Sequence, residues 1–437
     1  MMVGHFRGRN PMQSRLEPLS LLLDRAALAS LLLVTVFAPV AMGGVVPWAL
    51  LGIRLLVVGG VTLWLLSACL RGSLALPPPP ILLALLAYLA AVIISTLLSP
   101  YTFGSVQTAL NIFVYSSAFL LSCGLLTTRK RKHLFIGTLV VTAFVMSVYG
   151  VLQFLGYQWT PMLSPVRISS FYYNSNHYSG YLALLVPLVM FLCIYVQRVF
   201  LKISYGLLAA LLLFNLALTF SWGLLAVSLT VFGLLVHWAV QSGQVRRFAL
   251  ATTVACLLGI AGLGALVGLT PQLSNDTLQT RTSEFFDVWV RYSVLSRVAI
   301  GEGTLKVIQD HPTVGVGPGN FIYAFTEHRA AEVTDENDPN KTLHKFVNYS
   351  HNDYTQVASE TGFLGLAGFL SFWLLVIRGG VSGGISCGLV AGLVALLLHG
   401  ATDGNLTVIP ANVLLAYLFA GALHSGSLER KARLSYH

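Results

Sequence analysis

Apolar runs of roughly membrane-spanning length recur along this chain, separated by short polar breaks, and a single long polar interval lies toward the C-terminal third. The hydrocarbon core of a bilayer is about 30 Å thick, so a spanning helix needs roughly 20 predominantly apolar residues. Twelve segments qualify, centred near Val36, Val57, Leu89, Ser117, Val145, Pro187, Leu211, Leu229, Gly259, Phe369, Val390 and Leu414. Backbone polar groups cannot stay unpaired in lipid, so these segments predict helices. They are too long and too uniformly apolar for barrel strands. The pattern has no internal repeat and none of the inverted-repeat symmetry that many transporters carry. The predicted fold class is an all-α polytopic membrane protein with about twelve transmembrane helices.

The polar interval follows the ninth apolar segment. Twelve of the sixteen Asp and Glu residues lie between Asp276 and Glu360. That predicts three regions: residues 1–270 with nine spans, residues 271–355 as a large helical loop, and residues 356–437 with three spans and a tail. Within the loop, Thr282 to Gln309 carries apolar residues mostly at helical spacing (Phe285, Val288, Trp289, Tyr292, Leu295, Val298, Leu305, Ile308). His311-Pro312 ends that helix, and Gly315 to Asn320 is a tight turn. A second helix starts near Phe321, and Thr342 to Tyr354 leads back to the membrane. A shorter loop, Gly156 to Tyr178, is rich in aromatic and amide groups, among them Trp159, Asn174, Asn176 and His177.

Charge adds an orientation. Of the 437 residues, 56% are hydrophobic and only 10% charged, against about 25% charged in soluble domains. With the N-terminus in the cytoplasm, sixteen Lys and Arg residues fall on one face, including Arg71, the run Arg129 to Lys132, Arg198 and Arg378; the short loops of the other face hold only Arg167. The positive-inside rule then puts both termini in the cytoplasm and the large loop outside it. This asymmetry accounts for the net charge of +10 with no nucleic-acid partner. All five cysteines fall within predicted spans, so no disulfide framework is implied. Met1 to Arg15 and the apolar run after it have the outline of a signal peptide, but the run is of span length and reads as a first helix.

Chemistry concentrates where the polar loop re-enters the membrane. His351 offers an imidazole, a group with an ordinary pKa near 6.5 that accepts a proton at neutral pH; a helix cap or an interfacial residue is the competing reading. Asn352, Asp353, Gln356 and Glu360 crowd the first turns of the following helix, which is costly unless they line a wet cavity. A zinc site built from His344, His351 and Asp353 matches no familiar ligand spacing. Arg167, Arg281, Arg291 and Arg297 face the same side and suit phosphate through paired charge-assisted bonds. Arg54, inside the second span, faces a cavity or a partner helix. The glycine turn fails as a nucleotide loop, because no Lys-Ser/Thr follows it.

His351-Asn352, nine residues, then Gly362-x-x-Gly365 resembles the signature of the bacterial O-antigen ligase family, which also includes O-antigen and exopolysaccharide polymerases. Asp310 to Phe321 and Asn174-Ser175-Asn176-His177 resemble two further family segments, so the resemblance covers essentially the whole chain. It implies a GT-C-type membrane glycosyltransferase of the bacterial inner membrane, working at the periplasmic face without metal or cofactor. The donor would be a glycan on undecaprenyl pyrophosphate and the acceptor a lipid A–core sugar hydroxyl. His351 would be the general base. Arg297 and Arg291, with Arg281, Arg167, Asn174, Asn176, Asn352, Asp353 and Arg54, would bind substrate. One departure stands out: many members have Ser-Arg-Gly where this chain has Ser221-Trp222-Gly223, so another cation, Arg54 or Arg167, would have to serve there. The rival readings are a polymerase that uses a second lipid-linked glycan as acceptor, a protein O-glycosylating enzyme, and a transporter or flippase of the lipid-linked glycan.

Overall fold

The computed structural model describes residues 11–161, 163, 167–242, 294, 296–332, 347–380 and 385–425. Every regular element among them is helical. In chain order these are α1 (Pro11–Val40), α2 (Pro47–Arg71), α3 (Pro79–Leu98), α4 (Thr102–Leu125), α5 (Arg129–Phe154), α6 (Ser175–Tyr195) and α7 (Val199–Leu218). They continue with α8 (Gly223–Ser242), α9 (Ser296–Asp310), α10 (Phe321–Glu332), α11 (Asp353–Gly380), α12 (Ile385–His399) and α13 (Pro410–His424). Eleven of the twelve predicted spans fall on α1 to α8 and α11 to α13; the ninth, near Gly259, lies outside the described residues. Among the described residues, eight helices are long and apolar enough to cross a membrane, and α12 and α13 are shorter apolar helices. The chain is a polytopic, all-helical membrane protein.

The loop helices sit where their sequence signals put them. α9 ends at Asp310, before His311-Pro312, and α10 starts at Phe321. The predicted start of the first loop helix at Thr282 lies outside the described residues. The re-entering helix begins at Asp353, three residues before the boundary read from hydrophobicity. Asn352 explains the difference, because its Oδ1 caps the helix by accepting from Tyr354 N at 2.9 Å and Thr355 N at 3.1 Å.

The bundle is layered. Leucines such as Leu83 (65% exposed) and Leu97 (75% exposed) point outward toward where lipid would lie. α6 is 72% buried over its apolar window, against 28% for α2 and α7, so it runs through the interior. α13 is buried at every one of its 15 residues. At 1.5 Å per residue it is only about 22 Å long, short of a full bilayer core. Its far end lies level with the start of α5, where Lys132 Nζ donates to Ser425 O at 3.4 Å. The loop from Gly400 to Ile409, joining α12 to α13, is sunk into the protein, with Asp403, Gly404, Asn405, Leu406 and Ile409 all buried. Irregular backbone at that depth has to be buried in protein and hydrogen-bonded there. Asp353 does much of this. Its N–H donates to Gly400 O at 2.7 Å, and its carboxylate accepts from Leu406 N at 2.9 Å and from Thr407 Oγ1 at 2.7 Å.

The spacing of the His-Asn…Gly-x-x-Gly motif also has a structural cause. α11 is interrupted at Gly362, whose φ of 65° and ψ of −173° lie in a region essentially reserved for glycine. A Cβ there would collide with the Thr313 carbonyl, and one on Gly315 with the backbone of Glu360. The Pro312–Gly317 turn fills the break: Phe363 N donates to Pro312 O at 2.8 Å, Val316 N to Ser359 O at 2.9 Å and Gly317 N to Glu360 O at 2.9 Å. Asn320 anchors the same turn to the start of α4, donating to Ser99 Oγ at 2.6 Å and Ser105 Oγ at 2.7 Å. The nine residues between Asn352 and Gly362 are thus a rigid helical spacer, clamped at one end and presenting His351 at the other. Gly362→Ala is expected to destabilise the protein by more than about 1 kcal/mol and to lower the thermal unfolding midpoint in detergent. Gly301→Ala, on α9 with open space around its α-carbon, should be neutral or stabilising. Equal midpoints for the two variants would remove the clamp.

Candidate functional site

His351 stands just ahead of the Asn352 cap with a φ of 52°, a left-handed conformation uncommon for a side chain of its size. The turn aims the ring at the sunken α12–α13 loop. There Nδ1–H donates to Asp403 Oδ1 at 3.2 Å; the His351 side chain is 27% exposed and that of Asp403 only 2%. A carboxylate accepts, so the proton sits on Nδ1 and the lone pair on Nε2. Among the described residues Nε2 has no hydrogen-bond partner. Tyr349 packs against the imidazole with ring centroids 4.2 Å apart.

Asp403 is itself held in place. Gly404 N donates to its Oδ1 at 2.9 Å, while Oδ2 is buried without a partner among the described residues. Burial alone would raise this carboxyl, but the hydrogen bond from His351 and the attraction of His351, His177 and His399 in their protonated forms outweigh it and hold it well below the usual carboxylate range. Burial, reinforced by the nearby Asp403 charge, pushes the Tyr349 phenol well above its ordinary value. Behind the pair lies a buried polar layer. His177 Nε2 is 3.5 Å from Tyr349 Oη, and His399 Nε2 is 3.3 Å from Ser221 Oγ.

Two arginines reach this place. Arg297, in the first turn of α9, donates through Nε to Thr402 O at 2.7 Å, next to Asp403 in the chain. Arg167 donates through Nε to Thr219 O at 2.7 Å and through Nη2 to Asn176 Oδ1. Burial draws the Arg167 guanidinium down to about 10, with Asp403 pulling the other way and Arg297 repelling it, so the three charges share one electrostatic neighbourhood. Arg167 also lies at the turn holding Ser221-Trp222-Gly223, since Thr219 is the residue that ends α7. Of the two cations proposed to compensate for Trp222, Arg167 is the one at that turn.

The remaining predicted residues are placed as follows. Asn174 caps α6, accepting from Asn176 N at 2.8 Å, and so sets the position of Asn176 beside Arg167. Asn352 donates to Ala401 O at 3.0 Å, tying the His351 turn to the sunken loop. The Asp353 carboxylate is fully buried and occupied by Leu406 and Thr407. Arg54 lies apart, bridging α2 to α4 through Asn111 Oδ1 at 2.9 Å and Gln107 Oε1 at 3.4 Å. Arg281 and Arg291 lie outside the described residues, as does His344. The polar groups of the first α11 turns are internally satisfied: Gln356 accepts from Ser350 N at 2.7 Å and donates to Glu360 Oε1 at 2.7 Å. Glu360 also borders a cavity of about 30 Å³, room for about one water molecule.

Asp403, Tyr349 and His399 were not singled out from the sequence. Asp403 had a signal: it is one of only four acidic residues outside the Asp276–Glu360 interval, set between two apolar segments where a carboxylate needs a partner.

The arrangement offers an oriented base with a free, partly exposed nitrogen, and two guanidinium groups beside it. It suits deprotonation of a hydroxyl next to a developing phosphate charge. Residues 207–370 match the family model described as O-Antigen ligase, a stretch running from α7 into α11 that contains Arg297 and His351. Arg167, Asn176 and Asp403 lie outside the matched stretch. No curated protein matches the chain.

Proposed function

We propose, from the premise that residues 207–370 match the O-antigen ligase family model, which supports a ligase- or polymerase-type function, that this protein transfers a glycan from undecaprenyl pyrophosphate to a sugar hydroxyl of lipid A–core. The reaction takes place at the periplasmic face of the bacterial inner membrane. The observation that carries this reading is the His351–Asp403 pair with Arg297 and Arg167 around it, at the rim of a loop sunk into the bundle.

His351 Nε2 removes the proton of the acceptor hydroxyl, and Asp403 stabilises the imidazolium that forms. The acceptor oxygen attacks the anomeric carbon from the face opposite the pyrophosphate, the bond from that carbon to the pyrophosphate oxygen breaks, and the configuration inverts. Arg297 and Arg167 receive the negative charge that develops on the leaving group. The sunken loop suits a donor whose reactive phosphate hangs from a membrane-embedded chain.

The reading is tested by supplying purified protein with the lipid-linked glycan plus lipid A–core, or with lipid-linked glycan alone. A glycan–lipid A product is the expected result. Lengthening of the lipid-linked chain would instead identify a polymerase, and neither product would overturn the transferase reading. Arg297→Ala is expected to lower transfer by roughly 10² or more, as for loss of one preorganised donor to a developing anion. Arg297→Lys keeps the charge but loses the fork, and should retain more activity. Near-normal rates in both variants would take Arg297 out of the phosphate site.

A further inference from the structure

At the end of the bundle away from His351, the ends of α5, α6, α7, α12 and α13 surround a cavity of about 790 Å³. This lies within the range of roughly 300–1,000 Å³ seen for small-molecule sites. Its lining changes character from mouth to floor. Arg129, Lys132 and His133, from the first two turns of α5, stand on one side together with the hydroxyl groups of Thr127 and Ser425. Arg129 and His133 are exposed, as is Tyr195 at the end of α6. Deeper in, Phe135, Leu192 and Leu389 are buried and apolar. No carboxylate is among these lining residues. The neighbouring Arg131 turns away, approaching Asp24 of α1 at 3.6 Å together with Arg71 at 2.6 Å. The basic residues on the cavity gather at the N-terminus of α5, the end that carries positive partial charge and favours an anion.

We propose that this cavity binds an anionic glycerophospholipid from the cytoplasmic leaflet. The phosphate sits against Arg129, Lys132 and His133, and the upper acyl chains run along Phe135, Leu192 and Leu389. Each half of the lining selects for part of that molecule. A lipid without net negative charge gains less from the basic mouth, and a soluble anion leaves the apolar floor uncovered. Basic pockets between membrane helices on the cytoplasmic side suit anionic headgroups for this reason. The site lies at the opposite end of α5 from Arg167, and its occupation does not depend on the glycan-transfer reading.

The test uses full-length protein purified in neutral detergent and stripped of lipid, examined by native mass spectrometry. Phosphatidylglycerol, phosphatidylcholine or inorganic phosphate is added at matched concentration to wild type, to the Arg129→Gln/His133→Gln double variant and to Leu201→Trp, which narrows the cavity from α7. Phosphatidylglycerol is expected to be retained roughly tenfold better than phosphatidylcholine, with that preference lost in the double variant and binding of both lipids reduced in Leu201→Trp. Equal retention of the two lipids would overturn the proposal, as would unchanged phosphatidylglycerol binding in both variants. Inorganic phosphate bound as tightly as the lipid would overturn it too, by reducing the site to a surface anion patch. Circular dichroism of each variant confirms that a loss of binding is not a loss of fold, and Leu201→Trp tests the cavity without touching any charge.

Discussion

Replacing His351 by alanine is expected to lower glycan transfer by about 10² to 10⁴, the usual contribution of a positioned general base, while the protein stays folded and inserted. The backbone makes a second variant more telling. His351 has a φ of 52°, so alanine removes the imidazole and also places a non-glycine residue poorly suited to that conformation. Asparagine tolerates the left-handed region better and offers no base. His351→Asn should therefore keep the wild-type unfolding midpoint and still be inactive. Transfer at the wild-type rate by either folded variant would sink the mechanism. Activity lost only in alanine, together with a lower midpoint, would assign His351 to shaping the turn.

The helical plan was readable because lipid leaves the backbone few options. An apolar run of span length has to be a helix, and so the predicted centres from Val36 to Leu229 and from Phe369 to Leu414 fall on helices. The loop boundaries were equally plain, since His311-Pro312 and the glycine turn permit no continuation. The motif was recognisable as a pattern, but its spacing acquires a cause only from Gly362, whose missing Cβ admits the Thr313 carbonyl. Nothing local to Gly362 indicates that a turn nearly fifty residues upstream will occupy the break.

Side-chain roles were less legible, because residue type fixes what a group can do and not what it meets. Asp353 and Asn352 stand next to His351 in the chain, which made them candidates for substrate, yet the Asp353 carboxylate holds the sunken loop in place. Arg54 looked exceptional as a charge inside a span and is matched by two amide oxygens of α4. Conversely, Asp403 lies 52 residues beyond His351 in a Thr-Asp-Gly-Asn stretch that reads as a turn. Arg167 and Thr219 are likewise 52 residues apart. Pairings of that kind are decided by how the helices pack.

Asp403→Asn is the variant that separates a positioning carboxylate from a merely structural one. The amide is nearly isosteric and leaves Gly404 N an oxygen to donate to, but it no longer dictates which imidazole nitrogen carries the proton. A carboxylate in that position is worth up to about 10⁴ in turnover in serine-protease triads, and a loss of at least about 10² is expected here. The nitrogen chemical shifts of the His351 ring supply a readout that packing damage would not move: with an amide as partner, Nδ1–H is no longer the dictated tautomer, and Nε2–H should gain population. Stability gives an independent check with a defined sign. The folded-state pKa of Asp403 is depressed, so its contribution is fully present above the unfolded carboxyl value of about 3.9 and is lost as the pH falls through the lower folded value. That part of the wild-type stability advantage over Asp403→Asn should therefore disappear only under strongly acidic conditions. An unchanged tautomer in a folded, partly active Asp403→Asn protein would leave His351 without its orienting partner, and the pair would then be a contact of the loop alone.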